Sequence, residues 1–334
     1  VLREVWPFVQ VKHDAGQEVV LARLVDRDGP GARPLGATMA IAEDGTWRGS
    51  VSGGCVEGIV LDAARAVLDG AAPQVTTVSP SAHLMPWEET PACAGELQVL
   101  LTRAPDAPVR AAITSALAGD RLLAVRIELE PPYSWSVTTT AAWPPSGDGS
   151  SVFVEELRPR STLVLVGATD LAATMARMTE SLHRRVVVLD PRPDHVTSGA
   201  FPATCEVVRA WPDKWIAGNQ LRAEDAVVTL THDPRIDDRA IRAALESEAG
   251  HVAALGSRAT HAQRLRRLAG ASGLDRLSGP AGLDLGGASL AETALSILAE
   301  VVAVGNARSG QRLREVQTQI RVMVPASCSG PAVS

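Results

Sequence analysis

The rhythm of apolar positions along this chain changes near residue 160. Before that point, short runs of aliphatic and β-branched residues predict strands at Val19–Val25, Thr38–Ala42, Leu97–Thr102, Leu122–Leu129, Ser134–Thr140 and Ser151–Glu156. Ile59, Val60, Ala63, Ala64, Val67 and Leu68 recur at helical spacing and predict the one clear helix of this half, Glu57 to Leu68. Gly16–Val25 and Gly119–Glu128 resemble one another in register, with Arg23 opposite Arg126. Beyond residue 160, solid apolar strands are expected at Thr162–Val166, Val186–Leu189, Ala226–Leu230 and His251–Leu255. Helices are expected at Leu171–His183, Asp237–Ala249, Thr260–Ala269 and Leu290–Val304, the last opened by a Ser289/Glu292 capping box.

Continuous apolar strands alternating with helices indicate a doubly wound parallel α/β sheet covered on both faces. A mixed α+β domain precedes it. The turn-rich stretch Trp143–Ser151 is a connector, and Arg158-Pro159-Arg160 marks a boundary. The expected organisation is a first domain over 1–158, a second over 159–308, and a helical extension with a loose tail over 309–334.

Composition narrows the function classes. The 334 residues carry 32 basic and 38 acidic side chains, a net charge of −6, and no basic run that would suit a nucleic acid. Lys12 and Lys214 are the only lysines, so Schiff-base chemistry has few candidates. Cys55, Cys93, Cys205 and Cys328 show neither CxxC nor zinc-finger spacing. No secretory pattern opens the chain, and Ala294–Val304 is too short to span a bilayer and carries Glu300. A cytoplasmic protein that binds neither nucleic acid nor membrane is expected.

The densest candidate chemistry is the stretch GSVSGGCVEG, Gly49 to Gly58. Gly49, Gly53 and Gly54 allow backbone angles closed to other residues, and the turn opens directly into a helix. Helix N-terminal amides attract an anion or a thiolate, so Cys55 is a candidate activated thiol. A small core cysteine is the plainer reading. Arg33, Glu57 and the second small-flanked cysteine, Cys93, are expected around the same pocket. In the second half, TLVLVGATDLA resembles a dinucleotide fingerprint, with Gly167 after the strand and Asp190 placed to hold a ribose. Thr169, however, stands where that fingerprint wants glycine. Polar clusters end three strands, at Asp190-Pro191-Arg192, Thr231-His232-Asp233-Pro234 and Gly256-Ser257-Arg258. In open α/β sheets that edge binds ligands. His232 and Asp233 suit acid–base or hydrogen-bond work there, and Ser257 with Arg258 suits a phosphate. His13, His83, His183, His195, His251 and His261 read as surface or loop residues.

Taken together, these blocks resemble the xanthine dehydrogenase accessory protein family, the XdhC group. The resemblance runs through Arg33–Met39, Gly49–Glu57, Cys93, Leu189–Pro193, Thr231–Asp237, Ala254–His261, Gly279–Gly286 and Ala291–Glu300. It implies a maturation factor that binds molybdenum cofactor (molybdopterin), protects it during sulfuration, and delivers it to an apo molybdenum hydroxylase. It also implies a Rossmann-like second domain, a homodimer, and a cysteine desulfurase as partner. On this reading Cys55 contacts the sulfur-rich end of the cofactor as a direct molybdenum ligand, and its phosphate lies on the Cys55 turn amides or on Ser257 and Arg258. Thr169 and Ala94 depart from the family's glycines. The competing readings are an NAD(P)-dependent oxidoreductase, which Asp190 favours and Thr169 opposes, and a docking scaffold in which both glycine turns are structural.

Overall fold

The computed structural model describes residues 1–28, 33–79, 95–139, 151–196, 199–317 and 328–329. The chain divides into two units, Val1–Pro159 with Met323–Ser334, and Arg160–Val322.

The first unit begins with helix α1, Leu2–Asp14, then strands β1 (Val19–Arg27), β2 (Thr38–Ala42) and β3 (Trp47–Gly49). Helix α2 (Glu57–Leu68), β4 (Gln74–Val78), β5 (Leu97–Arg103) and helix α3 (Ala107–Ala118) follow. The order β3-β2-β1-β5-β4 makes an antiparallel sheet. Its central strand β1 is buried on both faces through Val25, as its unbroken apolar run requires. One face packs α2 through Val60, Ala64 and Val67. The other meets α1, α3 and a second antiparallel sheet. That sheet has the order β15-β8-β6-β7, from β6 (Leu123–Glu128), β7 (Trp135–Thr138), β8 (Val152–Leu157) and β15 (Cys328–Ser329). Arg23 of β1 is wholly buried, paired with Glu155 of β8 and stacked 5.1 Å from the Phe153 ring.

This half therefore contains three helices among its described residues, where the apolar rhythm predicts one. Both resembling segments prove to follow a helix: α1 turns through Gly16 into β1, and α3 turns through Gly119 into β6.

The second unit is a parallel sheet of six strands, β11-β10-β9-β12-β13-β14. In chain order it runs β9 (Thr162–Val166), α4 (Asp170–Thr179), β10 (Arg185–Leu189), α5 (Pro193–Val196), β11 (Cys205–Val208) and α6 (Pro212–Gly218). Then come β12 (Ala226–Thr229), α7 (Pro234–Glu246), β13 (His251–Ala254), α8 (Arg258–Arg267), β14 (Leu277–Ser278) and α9 (Leu290–Gly305). Alternate residues of each strand enter opposite cores. Leu163, Leu165, Val186 and Val188 face α4 and α9, while Val164, Val166, Val187 and Leu189 face α6 and α7. This is the expected α/β class, a Rossmann-like doubly wound sheet after a mixed α+β half, and its strand order reverses between β9 and β12.

After Arg308 the described residues hold a three-residue 3-10 turn, Leu313–Glu315, and the short strand β15; residues 318–327 and 330–334 of the expected extension lie outside the described residues. One local expectation is corrected. His251 is buried in β13, with Nε2 3.6 Å from Glu300 Oε2. Among the described residues no helix is long and apolar enough to cross a membrane.

Candidate functional site

In the first unit, β3 ends at Gly49 and the chain crosses to α2 through the cysteine turn. Gly49 (φ +87°) lies so close to β2 that an added Cβ would sit 2.2 Å from Thr38 O. Gly53 and Gly54 have φ of +99° and +123°, so the glycines answer a real backbone demand. What organises the turn is Glu57, the first residue of α2. Its Oε1 accepts from Ser50 Oγ (2.5 Å), Ser52 N (3.0 Å) and Gly53 N (3.1 Å). Its Oε2 accepts from Ser52 Oγ (2.6 Å), Gly54 N (2.9 Å) and Val56 N (3.2 Å). Ser52 Oγ also accepts from Cys55 N at 3.0 Å. Burial pushes the Glu57 carboxyl up, but the serine and amide donors outweigh it and bring its pKa to about 2.

This corrects one expectation. The amides of the turn are aimed at a carboxylate that the chain itself supplies, so a ligand phosphate has no place among them. Cys55 itself is exposed and free, carried on a loop whose amides from Ser52 to Val56 are all engaged. Arg33 is engaged elsewhere, its Nη2 donating to Glu4 Oε2 of α1 at 2.7 Å. Cys93 lies outside the described residues.

In the second unit the predicted groups do gather at the carboxyl edge of the sheet. Gly167 (φ +114°) follows β9, but its missing side chain makes room for Thr231, whose Cγ2 would be 2.6 Å from a Cβ there. Asp190 is fully buried and its oxygens are already engaged. Oδ2 accepts from Ala168 N (2.9 Å) and Arg192 Nη2 (2.7 Å), and Oδ1 accepts from Arg192 N and Nε, both 2.9 Å. Burial opposes its charge, yet the Arg192 and Ala168 hydrogen bonds hold its pKa below the ordinary carboxylate value. Both oxygens are thus committed to groups of the edge itself. Thr169 caps α4 by accepting from Ala172 N at 3.2 Å.

Asp233 caps α7 and grips Arg235, which lowers its pKa. His232, exposed, sits at φ +60° between them and β12. Gly256 (φ +148°) and the exposed pair Ser257 and Arg258 open α8, with Ser257 Oγ accepting from Thr260 N at 3.1 Å.

Sequence reasoning named Arg192 and Thr231 as cluster members without their partners, and missed Asp237 and Arg264. Arg192 neutralises Asp190. Thr231 Oγ1 donates to Asp237 Oδ1 at 2.6 Å, and burial raises the Asp237 pKa despite that bond. Arg264 is buried beneath the β13 end. Spacing gave no signal for the last two, because a charged residue in a helix ordinarily reads as solvated. No group of three His, Cys, Asp or Glu able to hold a metal ion occurs among the described residues.

The family described as the XdhC Rossmann domain matches residues 163–301, and the XdhC and CoxI family matches residues 13–79. Over 314 residues the chain is 26% identical to a probable xanthine dehydrogenase subunit from Bacillus subtilis, covering 86% of this chain and 93% of that protein. It is 26% identical over 255 residues to the molybdenum cofactor insertion chaperone PaoD of Escherichia coli, covering 76% and 72%. A crystal structure of a xanthine dehydrogenase from Bacillus halodurans has the same fold, with TM-score 0.76 at 21% identity over 93% of this chain and 98% of that one.

Proposed function

Because the chain belongs to the XdhC family, we propose that it binds molybdenum cofactor as cargo and delivers it to a molybdenum hydroxylase of the xanthine dehydrogenase type. The relatedness to an insertion chaperone supports a maturation role. One observation carries the residue assignment: Cys55 is an exposed free thiol on a loop held by Glu57.

The donor set suits that cargo better than a bare ion. A caged metal needs three or four protein ligands, whereas a metal already chelated by a dithiolene could be held with a single protein thiolate. Cys55 supplies one, with Gly53 and Gly54 giving close access to it. When bound, the cofactor would bring a soft metal centre to this thiol. The chain's own part is to present the sulfur, keep the loop rigid through Glu57, and leave the thiol open to a partner. The partners on this reading are the apo hydroxylase and a cysteine desulfurase, in the cytoplasm, with the chaperone itself a homodimer.

The test is the pterin content of protein purified from cofactor-producing cells, read by oxidation and fluorescence, for the native chain and Cys55→Ala. Removing one exposed sulfur should leave the fold intact and abolish retention. A folded Cys55→Ala protein with full pterin content overturns the assignment.

A further inference from the structure

Helices α4, α7 and α8 each start directly after a strand at the carboxyl edge of the six-stranded sheet, and these starts are not equivalent. At α4, the Ala168 amide is spent on Asp190 and the Ala172 amide on Thr169. At α7, the carboxylate of Asp233 occupies the cap, accepting from Arg235 N at 2.9 Å. A second anion at either place would face a carboxylate already installed. At α8 the cap is the neutral Ser257, the first turn holds no acidic residue, and Arg258 stands exposed beside it.

Under the same turn lies Arg264, 1% exposed and one of the largest fully buried side chains of the protein. Its Nη2 donates to Leu255 O at 2.9 Å, directly before Gly256 and Ser257. The carboxylate oxygen paired with it, Asp237 Oδ2, is 3.9 Å away, beyond hydrogen-bond reach, while Oδ1 is committed to Thr231. Nε and Nη1 have no partner. A guanidinium cannot shed its charge, and unsatisfied charged donors in an interior are strongly unfavourable. The arrangement leaves donors without acceptors at the one α-helix start of this unit, among the described residues, with no acidic residue at its cap or in its first turn.

We propose that Arg264 is the inner cation of a phosphate-binding position at the β13–α8 turn, with Ser257 and Arg258 at its mouth, taking the phosphate or diphosphate group of a ligand. The position stands on the second unit alone and does not depend on Cys55. A phosphate oxygen there accepts from the guanidinium, the free amides of the first turn and the Arg258 side chain together, a charge-assisted set.

The experiment titrates full-length protein carrying ¹⁵N-arginine with inorganic phosphate and with diphosphate at constant ionic strength. The Nε–H resonance of Arg264 is assigned by its loss in Arg264→Lys. It should shift saturably, and calorimetry should show binding weakened at least about tenfold in Arg264→Met and Arg264→Lys. Arg266→Met, which removes the same charge from the exposed face of α8, should bind as the native chain does. A resonance unmoved by phosphate up to about 10 mM, or native affinity in Arg264→Lys, overturns the proposal. Should Arg264→Met fail to fold, the native titration and the lysine variant decide it. Neither readout involves pterin, so failure here and failure of the cargo reading are separate results.

Discussion

Glutamine in place of Glu57 changes little volume but removes the charge that ties the cysteine turn. In the native chain the carboxylate gathers Ser50 Oγ, Ser52 Oγ and the amides of Ser52, Gly53, Gly54 and Val56. A pKa brought from an ordinary 4.5 to about 2 is equivalent to about 3 kcal/mol favouring the ordered turn at neutral pH. The sign follows from the direction. A depressed carboxylate contributes fully above 4.5 and loses its contribution as pH falls from 4.5 toward 2. Glutamine keeps one acceptor oxygen but turns an NH₂ toward amide donors, so about 2 kcal/mol should be lost locally, raising the opening of the turn about thirtyfold. Hydrogen exchange of the Gly53, Gly54 and Val56 amides reads this directly. Their protection in the native chain should decline below pH 4.5, while in Glu57→Gln it should be low already at neutral pH and insensitive to acid. Equal protection in the two proteins at neutral pH would refute the view that this carboxylate organises the turn.

The native chain should show no saturable micromolar NADH binding in calorimetry, and Thr169→Gly should not create it, because Asp190 still holds the Ala168 amide; micromolar binding by either protein contradicts this. Burial, reinforced by Glu206, pushes the Cys205 thiol up to about 11, so at about pH 8 only about one in a thousand is thiolate. Iodoacetamide should therefore modify the Cys55 peptide well before the Cys205 peptide, and the reverse order by mass spectrometry would sink the assignment. Gly49→Ala puts a methyl 2.2 Å from Thr38 O and 2.6 Å from Val5 Cγ1 at φ +87°, which should destabilise the first unit by about 3 kcal/mol or more in denaturant. A loss below about 1 kcal/mol would mean that β2 and α1 yield easily.

The second unit was largely legible because its strands are buried on both faces and therefore written as unbroken apolar runs, as in Thr162–Val166. Helix α2 is legible because Val60, Ala64 and Val67 mark its inner face. Helix α3 hides its period among alanines, with Val109, Ile113 and Ala116 as its buried stripe. Helix α1 carries Leu2, Val5, Trp6 and Val9 at good helical spacing, but Pro7 interrupts the run. At the candidate sites, positions were readable and partners were not. The backbone demand for glycine at 53 and 54 shows in sequence, whereas the return of the Glu57 side chain onto those amides does not. Asp190 stands at the expected strand end, but its engagement with Arg192 and the Ala168 amide is not written in the spacing. Arg264 sits among Arg266 and Arg267 in one short helix, and nothing in the spacing tells which of them is buried.

The pairing of β15 with β8 has a consequence for the order in which the protein takes shape. Cys328 aligns with Phe153 and Ser329 with Val152, so the second sheet of the first unit is completed by chain that follows the whole second unit. During synthesis, residues 160–322 form a contiguous unit that can close as soon as it emerges. The first unit waits longer: its innermost ion pair joins residues 132 apart, and its last strand arrives only after the second unit has been made. The β8 edge that β15 covers is thus the edge left open to wrong pairing while the ribosome is still at work.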